Sequence, residues 1–262
     1  MPLTDTHCHV QTRQFDGDRA AVLDRAHEAG VDTLLCVGYD AESWRRAQDL
    51  VAGSRLTPHD SPLSLYATAG LHPHDAKDLT PALLDEIRQL ARAGKIVAIG
   101  ECGLDFFRNL STPDEQREAF VAQIGLSNET GLPLVIHDRD AHEAVVGLLR
   151  EHGARKGVMH CFSGDWDLAQ QCLDLGFWIS IAGPVTYPKS DALREVAAKT
   201  PADRIVVETD CPYLTPQAHR GKRNEPALVR LVADEVARLR DMDPEALAAQ
   251  TSANAKALFW LP

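Results

Sequence analysis

The chain lacks the features that would place it in a membrane, send it for export or bind it to nucleic acid through bulk charge. No apolar stretch approaches the roughly 20 residues of a bilayer-spanning helix. Met1-Pro2-Leu3 runs directly into a polar, histidine-bearing segment with no signal-peptide core, so the expected location is the cytoplasm. The 6 cysteines, Cys8, Cys36, Cys102, Cys161, Cys172 and Cys211, include no C-x-x-C pair, and no disulfide framework is expected. They read as small packing residues, with a thiolate ligand as the alternative. Basic residues are scarce: 27 Lys and Arg stand against 38 Asp and Glu, for a net charge of -11. That excludes a broad basic surface for nucleic acid. It leaves room for a phosphodiester bound locally, because bound dications reverse the sign of a site. Repeats, low-complexity tracts and an interdomain linker are also absent.

What is present is a regular alternation in 262 residues that are 44% hydrophobic. Apolar, β-rich runs end near His9, Val37, Leu71, Glu101, His137, Cys161, Ile181 and Thr209. Helical patterns lie between them, at 20–29, 41–51, 81–93, 113–130, 141–152, 166–175 and 191–198, with two more at 226–240 and 244–259. The segment Ser54 to Leu63, with two prolines and no periodicity, reads as a loop. Strands alternating with helices over this length predict an α/β fold, a (β/α)8 TIM barrel forming a single domain over residues 1–262. An open doubly wound sheet is the alternative. It requires a Gly-rich phosphate turn after the first strand, where this chain has His7-Cys8-His9.

The chemistry-bearing residues sit where strands end. His7 and His9, two apart on an extended strand, point to one face and can reach one cation. Glu101 closes the apolar run Ile96 to Gly100, where an unpaired carboxylate is prohibitively costly. His137 closes Leu132 to Ile136, His160 closes Gly157 to Met159, and Asp210 closes Arg204 to Thr209. Each alone reads more readily as a hydrogen-bonded structural residue than as a ligand. Together they offer four imidazoles and two carboxylates, enough for a two-metal centre with positions left for water and substrate. His72 and His74 end the third strand and either touch substrate or order the loop. The densest basic stretch, His219-Arg220-Gly221-Lys222-Arg223, reads as a solvated loop or a phosphate contact.

The order of these segments resembles the TatD-related deoxyribonucleases of the metallo-dependent hydrolase superfamily. The resemblance rests on Asp5–His9 (DTHCH), Gly70–His74 (GLHPH), Gly100–Asp105 (GECGLD), His137–Ala141 (HDRDA), His160–Gly164 (HCFSG) and Glu208–Leu214 (ETDCPYL). Gly221–Pro226 (GKRNEP) and Asn254-Ala255 with Leu258-Phe259 extend it over nearly the whole chain. The resemblance implies two divalent ions per subunit, Mg, Mn or Zn. His7, His9 and Asp210 would hold one ion, His137 and His160 the other, and Glu101 would bridge them. A glutamate at that strand points away from branches that bridge with a carboxylated lysine. Asp210 and Glu101 are then the catalytic carboxylates, with Asp210 taking the proton of the attacking water. His72, Arg139, Ser163, Arg223 and Asn224 are the candidate substrate contacts, followed by Lys189 and Arg108, although Arg139 could instead pair with Asp138 or Asp140. The implied activity is metal-dependent hydrolysis of DNA phosphodiester bonds, 3′ to 5′ on single strands. The alternative is ester or amide hydrolysis such as D-aminoacyl-tRNA deacylation. DNA is the expected partner, with no membrane contact, a monomeric state and no obligate protein partner.

Overall fold

A computed structural model describes residues 3–56 and 63–262. Among them are eight parallel strands: β1 (Leu3–Cys8), β2 (Val31–Cys36), β3 (Ser64–Ala67), β4 (Ile99–Asp105), β5 (Leu134–Arg139), β6 (Gly157–Met159), β7 (Trp178–Ile181) and β8 (Ile205–Val207). Between and after them run α1 (Arg19–Glu28), α2 (Ala41–Leu56), α3 (Pro81–Arg92), α4 (Pro113–Thr130), α5 (His142–Glu151), α6 (Trp166–Asp174), α7 (Asp191–Lys199), α8 (Val229–Leu239) and α9 (Pro244–Phe259). The strands pair in sequence order, β1-β2-β3 and β4 through β8. Single bridges, Ala69 to Ile99 and Cys8 to Cys211, join the two sets. His9 N–H donates to the Cys211 carbonyl at 2.9 Å and Gly100 N–H to the Ala69 carbonyl at 2.9 Å, so the ring closes as a (β/α)8 barrel and the open sheet is excluded.

Local chemistry explains the sharpest boundaries. The Thr112 hydroxyl accepts from Glu115 N–H, the Glu115 carboxylate accepts from Thr112 N–H at 2.7 Å, and Pro113 takes the first helical position. Gly131, at φ 78°, ends the same helix in the left-handed region. Two elements depart from expectation. The helix α2 continues past Val51 to Leu56, so the loop expected from Ser54 begins later, and its residues 57–62 lie outside the described residues. Strand β4 does not stop at Glu101 but runs on to Asp105. Gly100 and Gly103 let β4 lie against β5. Gly103 has φ 133°, and a Cβ there would collide with the His137 carbonyl oxygen.

The core has two layers, separated by the alternation of each strand. Leu34, Leu134, Ile136, Ile179 and Ile205 pack outward under the helices. Leu35, Val135, Val158, Trp178 and Val206 pack with Leu258 and Phe259 of α9, which closes the N-terminal end of the barrel. The Asn254 amide pins that helix to the Ala202 and Ile205 carbonyls, each at 2.7 Å. Two residues beyond Val135, Val158 and Val206, the same inward register presents His137, His160 and Glu208 at the opposite end. Among the described residues no helix is long and apolar enough to cross a membrane.

Candidate metal centre

The inward side chains at the C-terminal end converge on Glu101, 4% exposed. Its Oε2 lies 3.4 Å from His7 Nε2 and 3.8 Å from His9 Nε2. The same two nitrogens lie 3.8 and 3.4 Å from Asp210 Oδ1. Its Oε1 faces a second group: His137 Nδ1 at 3.1 Å, His160 Nε2 at 3.3 Å and His72 Nε2 at 3.4 Å. One carboxylate thus divides its two oxygens between two sets of imidazoles drawn from β5, from the C-terminal ends of β1 and β6 and the residues just past them, and from the loop after β3.

The outer partners of these rings define their tautomers. His9 Nδ1 lies 2.8 Å from the Val37 carbonyl, so it carries the proton and leaves the Nε2 lone pair facing inward. His160 Nδ1 sits 2.8 Å from Glu208 Oε1 and orients its Nε2 in the same way. Glu208 is itself fixed by Cys161 N–H at 2.7 Å and the Ser180 hydroxyl at 2.5 Å. His72 is reversed: its Nδ1 accepts from His74 N–H at 3.1 Å, leaving Nε2–H as a donor. Asp5 ties β1 to the loop after β8, accepting from His7 N–H, Thr209 N–H and the Thr209 hydroxyl at 3.2, 2.9 and 2.6 Å. Burial pushes the Asp5 carboxyl up to about 8, against those three donors.

Burial works to raise the pKa values of Glu101 and Asp210, yet the surrounding imidazoles reverse it. His72 and His160 hold Glu101 well below the usual carboxylate range, and His9 with His160 and His7 lowers Asp210. Burial lowers His7, helped by the charge of His160, and lowers His72 to about 4. No lysine or arginine pairs with Glu101 or Asp210 among the described residues. Two inward-facing Nε2 atoms, on His7 and His9, lie 3.2 Å apart, and the buried His7 Nδ1 has no hydrogen-bond partner. Imidazole nitrogens and ionised carboxylates converging without a lysine or arginine among the described residues fit a bound metal cation. Asp210 follows Thr209 in the left-handed region at φ 56°, as Cys161 follows His160 at φ 44°, strain of a kind that persists at functional sites.

The expected substrate contacts divide. His72 faces Glu101, as above. Arg139, in register with Asp105 on β4, pairs with neither Asp138 nor Asp140. Its guanidinium lies 3.9 Å from the centroid of the Phe107 ring and has no hydrogen bond or ion pair among the described residues. Ser163 is exposed and, with Cys161, Pro184, Lys189 and Leu193, lines a cavity of about 260 Å³ beside the centre. Arg108 is exposed, and its backbone N–H donates to Asp105 Oδ1 at 2.8 Å. The other two expectations do not fit the geometry. Asn224 is fully buried, and its amide donates to the Thr209 carbonyl at 2.9 Å and the Tyr213 carbonyl at 2.6 Å, holding the loop after β8. Arg223 is committed to Asp18, at 2.6 and 3.0 Å, and to the Gln14 carbonyl at 2.7 Å, over the Phe15 ring.

Three residues at the centre went unassigned in the sequence. Asp105 binds His74 Nε2 at 2.8 Å and His137 Nε2 at 3.3 Å, and its place became visible only with the true length of β4. Glu208 orients His160, and its signal was parity with Val206. Asp5 is the third. Five of the cysteines are buried among packing residues, and Cys161 is half-buried and lines the cavity beside the centre. Cys8 and Cys211 come close to Asp5, but Cys8 Sγ donates to the Leu35 carbonyl at 3.2 Å and burial drives both thiols well above their ordinary range, which disfavours a thiolate ligand.

A family of known proteins shares this architecture. Residues 4–260 match the model of the TatD related DNase family. The chain is 42% identical to an uncharacterized metal-dependent hydrolase of Bacillus subtilis, YabD, over 98% of both chains. It is 40% identical to the 3′-5′ ssDNA/RNA exonuclease TatD of Klebsiella pneumoniae over 97% of both. Among solved structures, the TatD homologue YjjV of Escherichia coli superposes with a TM-score of 0.89 and 31% identity, covering 99% of this chain and 98% of that one. A closed barrel with histidines and carboxylates gathered at one mouth, matched from end to end by these relatives, makes this chain an enzyme of the TatD-related DNase family.

Proposed function

We propose that this protein is a divalent-metal-dependent deoxyribonuclease that removes nucleotides from single strands in the 3′ to 5′ direction. The observation that carries the reading is the division of Glu101: one oxygen faces His7 and His9, the other His137, His160 and His72. In this reading His7, His9 and Asp210 would hold one ion and His137 and His160 a second, with Glu101 available to both. When bound, divalent ions would lower the pKa of a water and neutralise charge on the phosphodiester oxygens. Magnesium, manganese or zinc suits a set of imidazoles and carboxylates. The phosphodiester substrate and the 3′ to 5′ direction rest on relatives such as the Klebsiella exonuclease.

The chain's own groups then have separate tasks. Asp210, ionised and next to His9, accepts the proton of the attacking water. His72, with Nε2–H set by the His74 backbone, offers a donor to a phosphate oxygen. Glu208 keeps the His160 ring in place. Arg139, lacking a carboxylate partner, and Ser163 at the rim contact the phosphates. The test is a matrix of magnesium, manganese and zinc against a 5′-labelled single strand, a duplex and a D-aminoacyl ester. A ladder shortening from the 3′ end supports the reading. Ester cleavage with an intact oligonucleotide overturns it in favour of the deacylase alternative.

A further inference from the structure

Four large apolar side chains are mostly exposed among the described residues: Phe107, Leu110, Tyr213 and Trp260 at 59, 54, 53 and 58%. Trp260 has a local partner, since Lys156 Nζ lies 4.0 Å from its ring centroid beside the end of α9. The other three stand on the rim that carries the metal centre, Phe107 and Leu110 after β4 and Tyr213 after β8. Strands β4 and β8 are four places apart in an eight-membered ring, so Phe107 and Tyr213 rise on opposite sides of Glu101 and Asp210.

Both rings stand on backbone tied to the centre. Phe107 N–H donates at 3.0 Å to Asp105 Oδ1, whose other oxygen reaches His137 at 3.3 Å. Tyr213 N–H donates to the Asp210 carbonyl at 2.9 Å, its own carbonyl is held by Asn224, and its ring lies 6.4 Å from the His9 ring. Arg139 lies over the Phe107 ring with its charge uncompensated. An exposed aromatic ring with an unpaired guanidinium over one face is suited to a base with its phosphate, and a free aromatic face accepts any unpaired base. A chain of net charge -11 repels a polyanion over distance, so short-range stacking has more to contribute to holding it.

We propose that Phe107 and Tyr213 are stacking platforms for the two nucleotides that flank the scissile phosphodiester, one on each side of the metal centre. Arg139 holds the phosphate of the nucleotide on Phe107. The proposal rests on the phosphodiesterase reading and deepens it: the site selects single strands because only unpaired bases can lie flat on both rings.

The test compares wild type with Phe107→Leu, Tyr213→Leu and Phe107→Trp in metal-loaded protein. Melting temperature and metal content are measured first, to establish that the exposed substitutions leave the fold intact. The substrates are an ordinary single-stranded oligonucleotide and one with abasic residues at the positions flanking the cleaved bond. Each leucine variant is expected to raise KM for the ordinary strand roughly tenfold with kcat nearly unchanged, and Phe107→Trp to restore it. On the abasic strand wild type and variants should have the same KM. Leucine variants with wild-type KM on the ordinary strand overturn the proposal, as does an equal loss on both strands. Wild-type protein that cleaves no phosphodiester overturns the enclosing reading instead, and the two failures are told apart by that control.

Discussion

The two ends of this barrel are built on the same strands and in the same register, yet they are stabilised by opposite means. At the N-terminal end Val135, Val158 and Val206 meet Leu258 and Phe259, and α9 shuts the opening with apolar surface. At the C-terminal end, one inward step further along the same strands, His137, His160 and Glu208 occupy the axis. There the carboxylates Glu101 and Asp210 lack any lysine or arginine partner among the described residues, and Asp210 and Cys161 sit in the left-handed region. One end gains from burial; the other holds groups that are costly to bury until a cation balances them. Packing and chemistry are thereby separated by a few residues of strand.

That contrast is open to mutation from both sides. The largest effect is expected at the polar end: Asp210→Asn should lower kcat by about 10² to 10⁴-fold, because the amide keeps the shape but cannot take a proton. Its melting temperature should stay near wild type, and near-normal turnover at saturating metal would remove Asp210 as the base. At the apolar end Leu258→Ala should do the reverse. A fully buried leucine replaced by alanine costs about 2–5 kcal/mol in denaturant unfolding, while kcat per folded molecule is retained. A loss of kcat without a loss of stability would show that the two ends are not separable. Asn224 lies between the two cases. Asn224→Ala leaves the Thr209 and Tyr213 carbonyls without their donor and should cost about 1–3 kcal/mol, together with weaker substrate binding as the loop after β8 loosens. The smallest effect distinguishes two arginines. Arg139→Ala should reduce the slope of log binding against log salt by about 1, and Arg223→Ala, already paired with Asp18, should leave it unchanged. The opposite pattern would return the phosphate contact to Arg223.

Much of the barrel was legible because its signals are local. Apolar runs of strand length, the Thr112-Pro113 start and Gly131 stop of α4, and prolines opening α3 and α9 all act within a few residues. His7, His9, Glu101, His137, His160 and Asp210 could be chosen together because each ends an apolar run, and the fold brings all of them within reach of Glu101 or Asp210. What was not legible depends on contacts across the ring. The close approach of β4 to β5 at Gly103 made β4 longer than its apolar run, and so moved Asp105 from a loop to the centre. Glu208 reads as one more acid before Asp210 until Ser180 on β7 and His160 just past β6 close around it. Arg223 ends the basic stretch of the loop after β8 and Asn224 follows it, and only tertiary partners reveal that their polar groups are already used.

The claim on which the rest depends is that the divided Glu101 carboxylate joins two cation sites at the polar end. Metal content of exhaustively dialysed wild-type protein and of Glu101→Ala, measured by inductively coupled plasma mass spectrometry after loading with manganese or zinc, tests it most directly. The account predicts about two ions per wild-type chain and at most about one in Glu101→Ala, with the far-ultraviolet circular dichroism of the two proteins alike. Two ions retained by the folded Glu101→Ala protein would contradict it.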